Sequence, residues 1–128
     1  VADYESHTIR RVALSSGEGT TLVGTDGFEG AAAGPADFAA LSLPSGLAAS
    51  ADGAWLFVAE EGGHLVREVN VADGTSRFVV GGSGNAGGLP TGVPVPLDEA
   101  TLIEPQDVAV AGDGLVVLSD TAVWVIRP

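Results

Sequence analysis

Hydrophobic and polar positions alternate only over short stretches of this chain, and each stretch is closed by glycine, aspartate or serine. Short apolar runs rich in β-branched and aromatic residues, bounded by turn residues, are strand signals. By their order along the chain they fall into four kinds, A to D. Strand A is predicted at Ser45–Ser50 and Gln106–Val110, and strand B at Trp55–Ala59 and Leu115–Ser119. Strand C is predicted at His7–Leu14, Leu65–Val71 and Ala122–Ile126, and strand D at Thr20–Gly24 and Arg77–Val80. Asp52-Gly53 and Asp113-Gly114 predict tight A–B hairpins, because glycine accepts φ > 0 without a Cβ clash. Ser16-Gly17 and Asp73-Gly74 turn C into D. Long Gly/Pro/Ala-rich connections, residues 25–44 and 82–105, follow the D strands. Ala36–Leu41 and Leu97–Ile103 are each long enough for one helical turn, and no segment carries the period of a three-turn helix.

The same pattern recurs in sequence. Val1-Ala2-Asp3 and His7-Thr8-Ile9-Arg10-Arg11-Val12 reappear as Val58-Ala59-Glu60 and His64-Leu65-Val66-Arg67-Glu68-Val69, an offset of 57 residues. Pro35-Ala36-Asp37, Leu41 and Pro44 match Pro96-Leu97-Asp98, Leu102 and Pro105 at an offset of 61. Leu118-Ser119-Asp120 is a third copy of Val58-Ala59-Glu60. A four-stranded antiparallel meander repeated about every 60 residues is the sequence form of a β-propeller blade. The expected fold is therefore all-β, a propeller fragment of about two blades.

The residues that repeat also carry a family likeness. Pro44-Ser45-Gly46-Leu47-Ala48, Asp52-Gly53, Leu56-Phe57-Val58-Ala59-Glu60, His64 and Val66-Arg67-Glu68-Val69 together resemble one NHL repeat. Val1-Ala2-Asp3, His7, Ile9-Arg10-Arg11-Val12 and Thr21-Leu22-Val23-Gly24-Thr25 resemble the end of a preceding one. The connection from Gly27-Phe28-Glu29-Gly30 to Gly34-Pro35-Ala36 is similar to the glycine-rich insert of bacterial NHL proteins. In the last repeat Thr121 stands at the histidine position and Trp124-Val125 replaces the arginine pair. The resemblance implies a ring of about six blades. On that basis residues 1–25 are strands C and D of one blade, 44–82 a full blade and 105–128 strands A to C of the next. Residues 26–43 and 83–104 are the inter-blade loops. Two periods and a surplus strand do not close a ring, so the remainder of a longer chain or a head-to-tail homo-oligomeric ring is expected to complete it. The chain begins in mid-strand and holds no methionine, which favours a piece of a longer protein.

Composition narrows the partners. Five arginines against 17 carboxylates leave a net charge of −12, so no nucleic-acid partner is expected, since phosphate binding rests on Lys and Arg. No apolar run approaches the ~18–20 residues of a membrane span, and no membrane partner is expected. Absence of cysteine removes disulfides and thiol chemistry and fits an extracytoplasmic setting. The acidic, lysine-free composition suits either a halophile or a GC-rich genome.

In a meander alternate connections emerge at opposite ends, so the B–C turns and the long D–A loops share one face. That face is the candidate binding surface: Tyr4, His7, Phe28, Glu29, Asp37, Phe38, Glu61, His64, Asn85, Asp98 and Glu99. His7 and His64 occupy equivalent positions in neighbouring repeats, too far apart to share a metal, and read as turn histidines bonding locally. Asp3, Glu60 and Asp120 recur at one repeat position and read as structural carboxylates bonding turn amides. Asp26/Glu29/Asp37 and Asp98/Glu99/Glu104 lack the dense spacing of a calcium loop, and no cofactor is expected, Ca²⁺ being the one ion such carboxylates would suit. Asp107, at the start of strand A where Gly46 stands in the preceding repeat, is the candidate channel-lining carboxylate and the one candidate metal ligand. Gly81-Gly82-Ser83-Gly84 lacks the lysine and helix of a phosphate loop, and no G-x-S-x-G nucleophile motif occurs. Trp55 and Trp124 read as packing residues. No catalytic residue stands out. The resemblance implies a non-catalytic binding or scaffold module whose partner is a protein, peptide or glycan. The alternative it leaves is a metal-dependent propeller enzyme of the lyase or lactonase type, with Asp107 and residues near Ser45 facing a channel metal.

Overall fold

The computed structural model describes residues 1–81, 102–120 and 122–127. Among the described residues, ten strands form three antiparallel sheets. The first sheet holds β1 (Ala2–Asp3), β2 (Thr8–Val12) and β3 (Gly19–Val23) in that order. The second is a complete four-stranded meander of β4 (Pro44–Ala49), β5 (Trp55–Glu60), β6 (Leu65–Asn70) and β7 (Ser76–Gly81). The third pairs β8 (Pro105–Ala111), β9 (Gly114–Ser119) and β10 (Val123–Ile126) in sequence order. No helix occurs among the described residues. The fold is all-β and is that of consecutive propeller blades.

Strand boundaries follow the residue pattern to within a residue or two, and the exceptions are local. Strand β2 stops at Val12 rather than Leu14, because Ala13 already accepts the Gly17 N–H that closes the turn. The second A–B hairpin sits one residue earlier than Asp113-Gly114 suggests. Ala111 pairs with Gly114, so the turn residues are Gly112 and Asp113, and Gly112 takes the positive φ of 64°. Ala36–Leu41 makes one turn, in which Phe38 and Ala39 N–H both donate to Pro35 O, and no more. Leu97–Thr101, the greater part of the other helical-turn segment, lies outside the described residues, as does Gly82-Ser83-Gly84.

Burial explains why the central blade lacks a clean in–out alternation. A blade is packed on both faces by its neighbours, so both sets of side chains are drawn from water. Val58 and Val69 join Ile9, Val23, Ala39 and Leu41 in the core toward the first sheet. Ala59, Val66 and Val80 join Leu102, Val108, Leu115 and Val117 in the core toward the third. In β6 every residue from Leu65 to Val69 is therefore buried, Arg67 and Glu68 included. Trp124 packs against the second core and donates its indole N–H to Ser119 Oγ at 3.2 Å. Trp55 is half-buried and lies under the Arg77 guanidinium, 5.7 Å from ring to charge.

Charged and small residues lock the blades together. Arg67, with no exposed side-chain surface, pairs with Glu60 and donates to Ala40 O at 2.8 Å and Ala32 O at 2.9 Å. Glu60 in turn accepts the Ser42 N–H at 2.9 Å. Burial pushes the Glu60 carboxyl above its ordinary value, against the opposing pull of Arg67 and the Ser42 amide. The pair thus fastens the loop after β3 onto β5 and β6. Arg11 donates to Val71 O, joining the first and second sheets. Between the second and third sheets Ser45 Oγ lies 3.1 Å from Pro105 O, and Gly46 leaves no room for a side chain against the Asp107 backbone.

Candidate functional site

The loop between β3 and β4 is not a free excursion. It leaves β3 beside the β1–β2 turn, where Gly27 N–H donates to Ser6 O. It then runs across the second sheet, Gly34 exchanging both backbone bonds with Ser76, before returning through Ala40 and Leu41 to β4. Its two ends lie at the B–C end of the blades and its middle at the C–D end. Phe28 and Glu29 consequently sit beside the B–C turns. Asp37 and the 71%-exposed Phe38 sit near the β6–β7 turn, apart from the others. Asn85, Asp98 and Glu99 lie outside the described residues.

At the B–C end the two histidines play one repeated part. His7 and His64 both have left-handed backbones, φ 56° and 53°. Leu43 N–H donates to His7 Nδ1 at 3.2 Å, and Glu104 N–H donates to His64 Nδ1 at 3.1 Å. Leu43 and Glu104 share the same repeat position before the first proline of strand A and the same left-handed backbone, φ 48° and 45°. Each histidine therefore reaches 36 or 40 residues along the chain to anchor the entrance of the next blade. This replaces the local turn bond expected from sequence. The clue was the repeat itself, which aligned Pro44 with Pro105 and so placed Leu43 and Glu104 in register.

Tyr4 and Glu61, also equivalent positions of adjacent blades, meet across the B–C turns. Their hydrogen bond is the main cause that raises the Tyr4 phenol above its ordinary value; partial burial and the charges of Glu61, Glu104 and Glu5 push the same way. Because Tyr4 is the only tyrosine, its ionisation can be followed by ultraviolet absorbance without interference. Glu61→Gln removes both the charge and the charged acceptor, and the titration should move to lower pH; an unmoved curve would show that the two turns do not touch in solution.

Beside this contact is a pocket of about 400 Å³ lined by Glu29, Gly30, Ala31, Ser42, Gly62, Gly63 and His64. Ser42 Oγ donates to Glu29 Oε1 at 2.6 Å, which orients the carboxylate at the mouth. Ser42 and the Gly62-Gly63 wall were not among the residues singled out from sequence; a serine in a loop and two glycines in a turn carry no chemical signature until folding brings them together. A larger groove of about 510 Å³ opens at the opposite end, between the second and third blades. Its walls are the apolar edge of the inter-blade core, Phe57, Val79, Leu115 and Ile126 among them, with the Glu68–Arg77 ion pair beside them.

Asp107 lies on β8 against Gly46, and its Oδ1 accepts the N–H of Val108 at 2.9 Å. No group of three or more His, Cys, Asp or Glu side chains able to hold a metal occurs among the described residues.

Fold and site thus define a set of consecutive β-propeller blades with a polar pocket on the B–C face. No family model matches the chain, and no curated protein matches it. Two solved structures from Bacteroides thetaiotaomicron VPI-5482 share its fold. A structural-genomics protein of unknown function superposes with a TM-score of 0.72 at 18% identity, over 92% of this chain and 28% of its own. An auxiliary nutrient binding protein gives a TM-score of 0.67 at 13% identity, over 89% of this chain and 30% of its own. The chain spans less than a third of the length of either.

Proposed function

We propose that the chain is part of an NHL-like β-propeller of about six blades that acts as a non-catalytic binding module, with the remaining blades supplied by a longer protein. Its B–C face receives a protein, peptide or glycan partner. The observation that carries this reading is the pocket bounded by Glu29, Ser42, Gly62, Gly63 and His64, on a face where side chains from successive blades meet. Loops held by a rigid sheet scaffold are where recognition concentrates, and a concave polar site among them is the default binding hypothesis. The likeness in fold to an auxiliary nutrient binding protein supports a binding role.

Glycan and peptide arrays probed with the labelled chain test the proposal. At least one class of array feature should bind the wild type, lose most of its signal with Glu29→Ala or Tyr4→Ala, and keep it with Arg77→Ala at the opposite end. Signal that survives the first two substitutions and vanishes with the third would place recognition in the other groove and overturn the reading.

A further inference from the structure

Resting on the binding-module reading above, we propose that the pocket between Glu29 and His64 recognises the hydroxyl groups of a neutral sugar or polyol. His64 Nδ1 accepts the Glu104 N–H, so it carries a lone pair, and the hydrogen of the neutral ring must then reside on Nε2. The fold thereby sets the tautomer, and His64, which lines the pocket, has Nε2–H as its ring donor. Ser42 has one hydroxyl hydrogen and gives it to Glu29 Oε1, which leaves Ser42 Oγ able only to accept. The Glu29 carboxylate, exposed at the mouth, is acceptor-only as well.

One donor and two acceptors therefore line a single cavity, and a hydroxyl is the small group that satisfies both kinds at once. Other chemistries fit less well. An anionic ligand would face Glu29, with Glu61 next to the Gly62-Gly63 wall adding to the repulsion. A cation would face the His64 N–H. Gly62 and Gly63 make that part of the wall almost pure backbone, and any Cβ at Gly62 would overlap Ser42 Oγ, so a larger residue there would displace one of the pocket's acceptors. The volume of about 400 Å³ falls in the small-molecule range of roughly 300–1,000 Å³.

Amide NMR of the chain titrated with maltotriose, cellotriose and mannotriose provides the test, with trigalacturonate and a Gly-Ser-Gly peptide as anionic and peptidic probes. At least one neutral trisaccharide should shift the amides of Gly62, Gly63 and His64. Glu29→Gln keeps the shape and the Ser42 contact while removing the charge-assisted acceptor, and should weaken that binding about tenfold. Shifts at Gly62 and Gly63 produced only by trigalacturonate or by the peptide would overturn the sugar assignment and leave the binding face standing. Sugar binding unchanged by Glu29→Gln would also overturn it. Array binding that never perturbs Gly62–His64 would remove both the assignment and the face.

Discussion

Arg67→Met should destabilise the chain by about 3–5 kcal/mol, the range found when one partner of a buried ion pair is removed and the other is left uncompensated. Arg67 and Glu60 have no exposed side-chain surface, and Glu60 keeps only the Ser42 amide when the guanidinium goes. Two loop carbonyls, Ala32 O and Ala40 O, lose the guanidinium as a second donor in the same step and keep only each other's amide. Against the ~5–15 kcal/mol that separates a folded domain from its unfolded chain, such a loss decides whether the blades hold. The deficit should also depend on pH in a defined direction. Burial already raises the Glu60 carboxyl, and removing Arg67 removes the strongest force that opposes it. A carboxyl whose folded value lies above its unfolded one contributes stability below the unfolded value and loses it as pH rises through the folded one. Urea midpoints of Arg67→Met should therefore fall furthest behind wild type at neutral pH and recover part of the gap toward about pH 5. A deficit that is constant with pH would mean that Glu60 is not left as a buried charge. Replacing both residues, Glu60→Leu with Arg67→Met, should restore some of the loss. It should not restore all of it, because the Ser42 N–H loses its carboxylate acceptor and the two loop carbonyls lose the bonds from the guanidinium.

Gly46→Val should be nearly as damaging, at about 3 kcal/mol, by a purely steric route. A Cβ at position 46 would come within 2.5 Å of both the Cα and Oδ1 of Asp107 and within 3.0 Å of Gln106 O. The nearest obstacle is backbone in the inner strand of the next blade, which cannot rotate aside as a side chain can. β4 and β8 would have to separate, weakening the core that joins Ala59 and Val66 to Val108 and Val117. Gly53→Ala is the matched control. That glycine has open space around it and a φ of 71°, so only the left-handed backbone resists, at about 1–2 kcal/mol. Chemical denaturation of the two variants separates close packing from backbone preference; equal losses would show that the inner strands are not packed as tightly as the geometry requires.

Gly46 also shows how far sequence reasoning reached. Its alignment with Asp107 placed both at the start of strand A and suggested a carboxylate toward the channel. The two residues meet each other across the inter-blade seam, and the absent Cβ of one makes space for the backbone of the other. The histidines tell the same story. Their recurrence was plain at an offset of 57 residues, and so was their place in the B–C turns. Their partners were not, because Leu43 and Glu104 donate through backbone amides, which every residue but proline possesses. Asp37 and Phe38 were grouped with the B–C face because they belong to a loop that begins and ends there. The Gly34–Ser76 bridge carries them to the other end, a pairing between glycine and serine backbones that leaves no mark in residue type.

Turn glycines, β-branched strands and the repeat of about 60 residues by themselves determined that this chain forms blades, in which order and with which ends shared. These are local preferences, read over a few residues and reinforced by repetition. Which residues meet across the blades was decided only by tertiary packing. A sheet buried on both faces hides Arg67 and Glu60 as completely as Val66, so exposure could not be read from polarity. The pocket arises in the same way: Glu29, Ser42 and His64 come from two loops and acquire their donor and acceptor roles from partners that only the fold brings near.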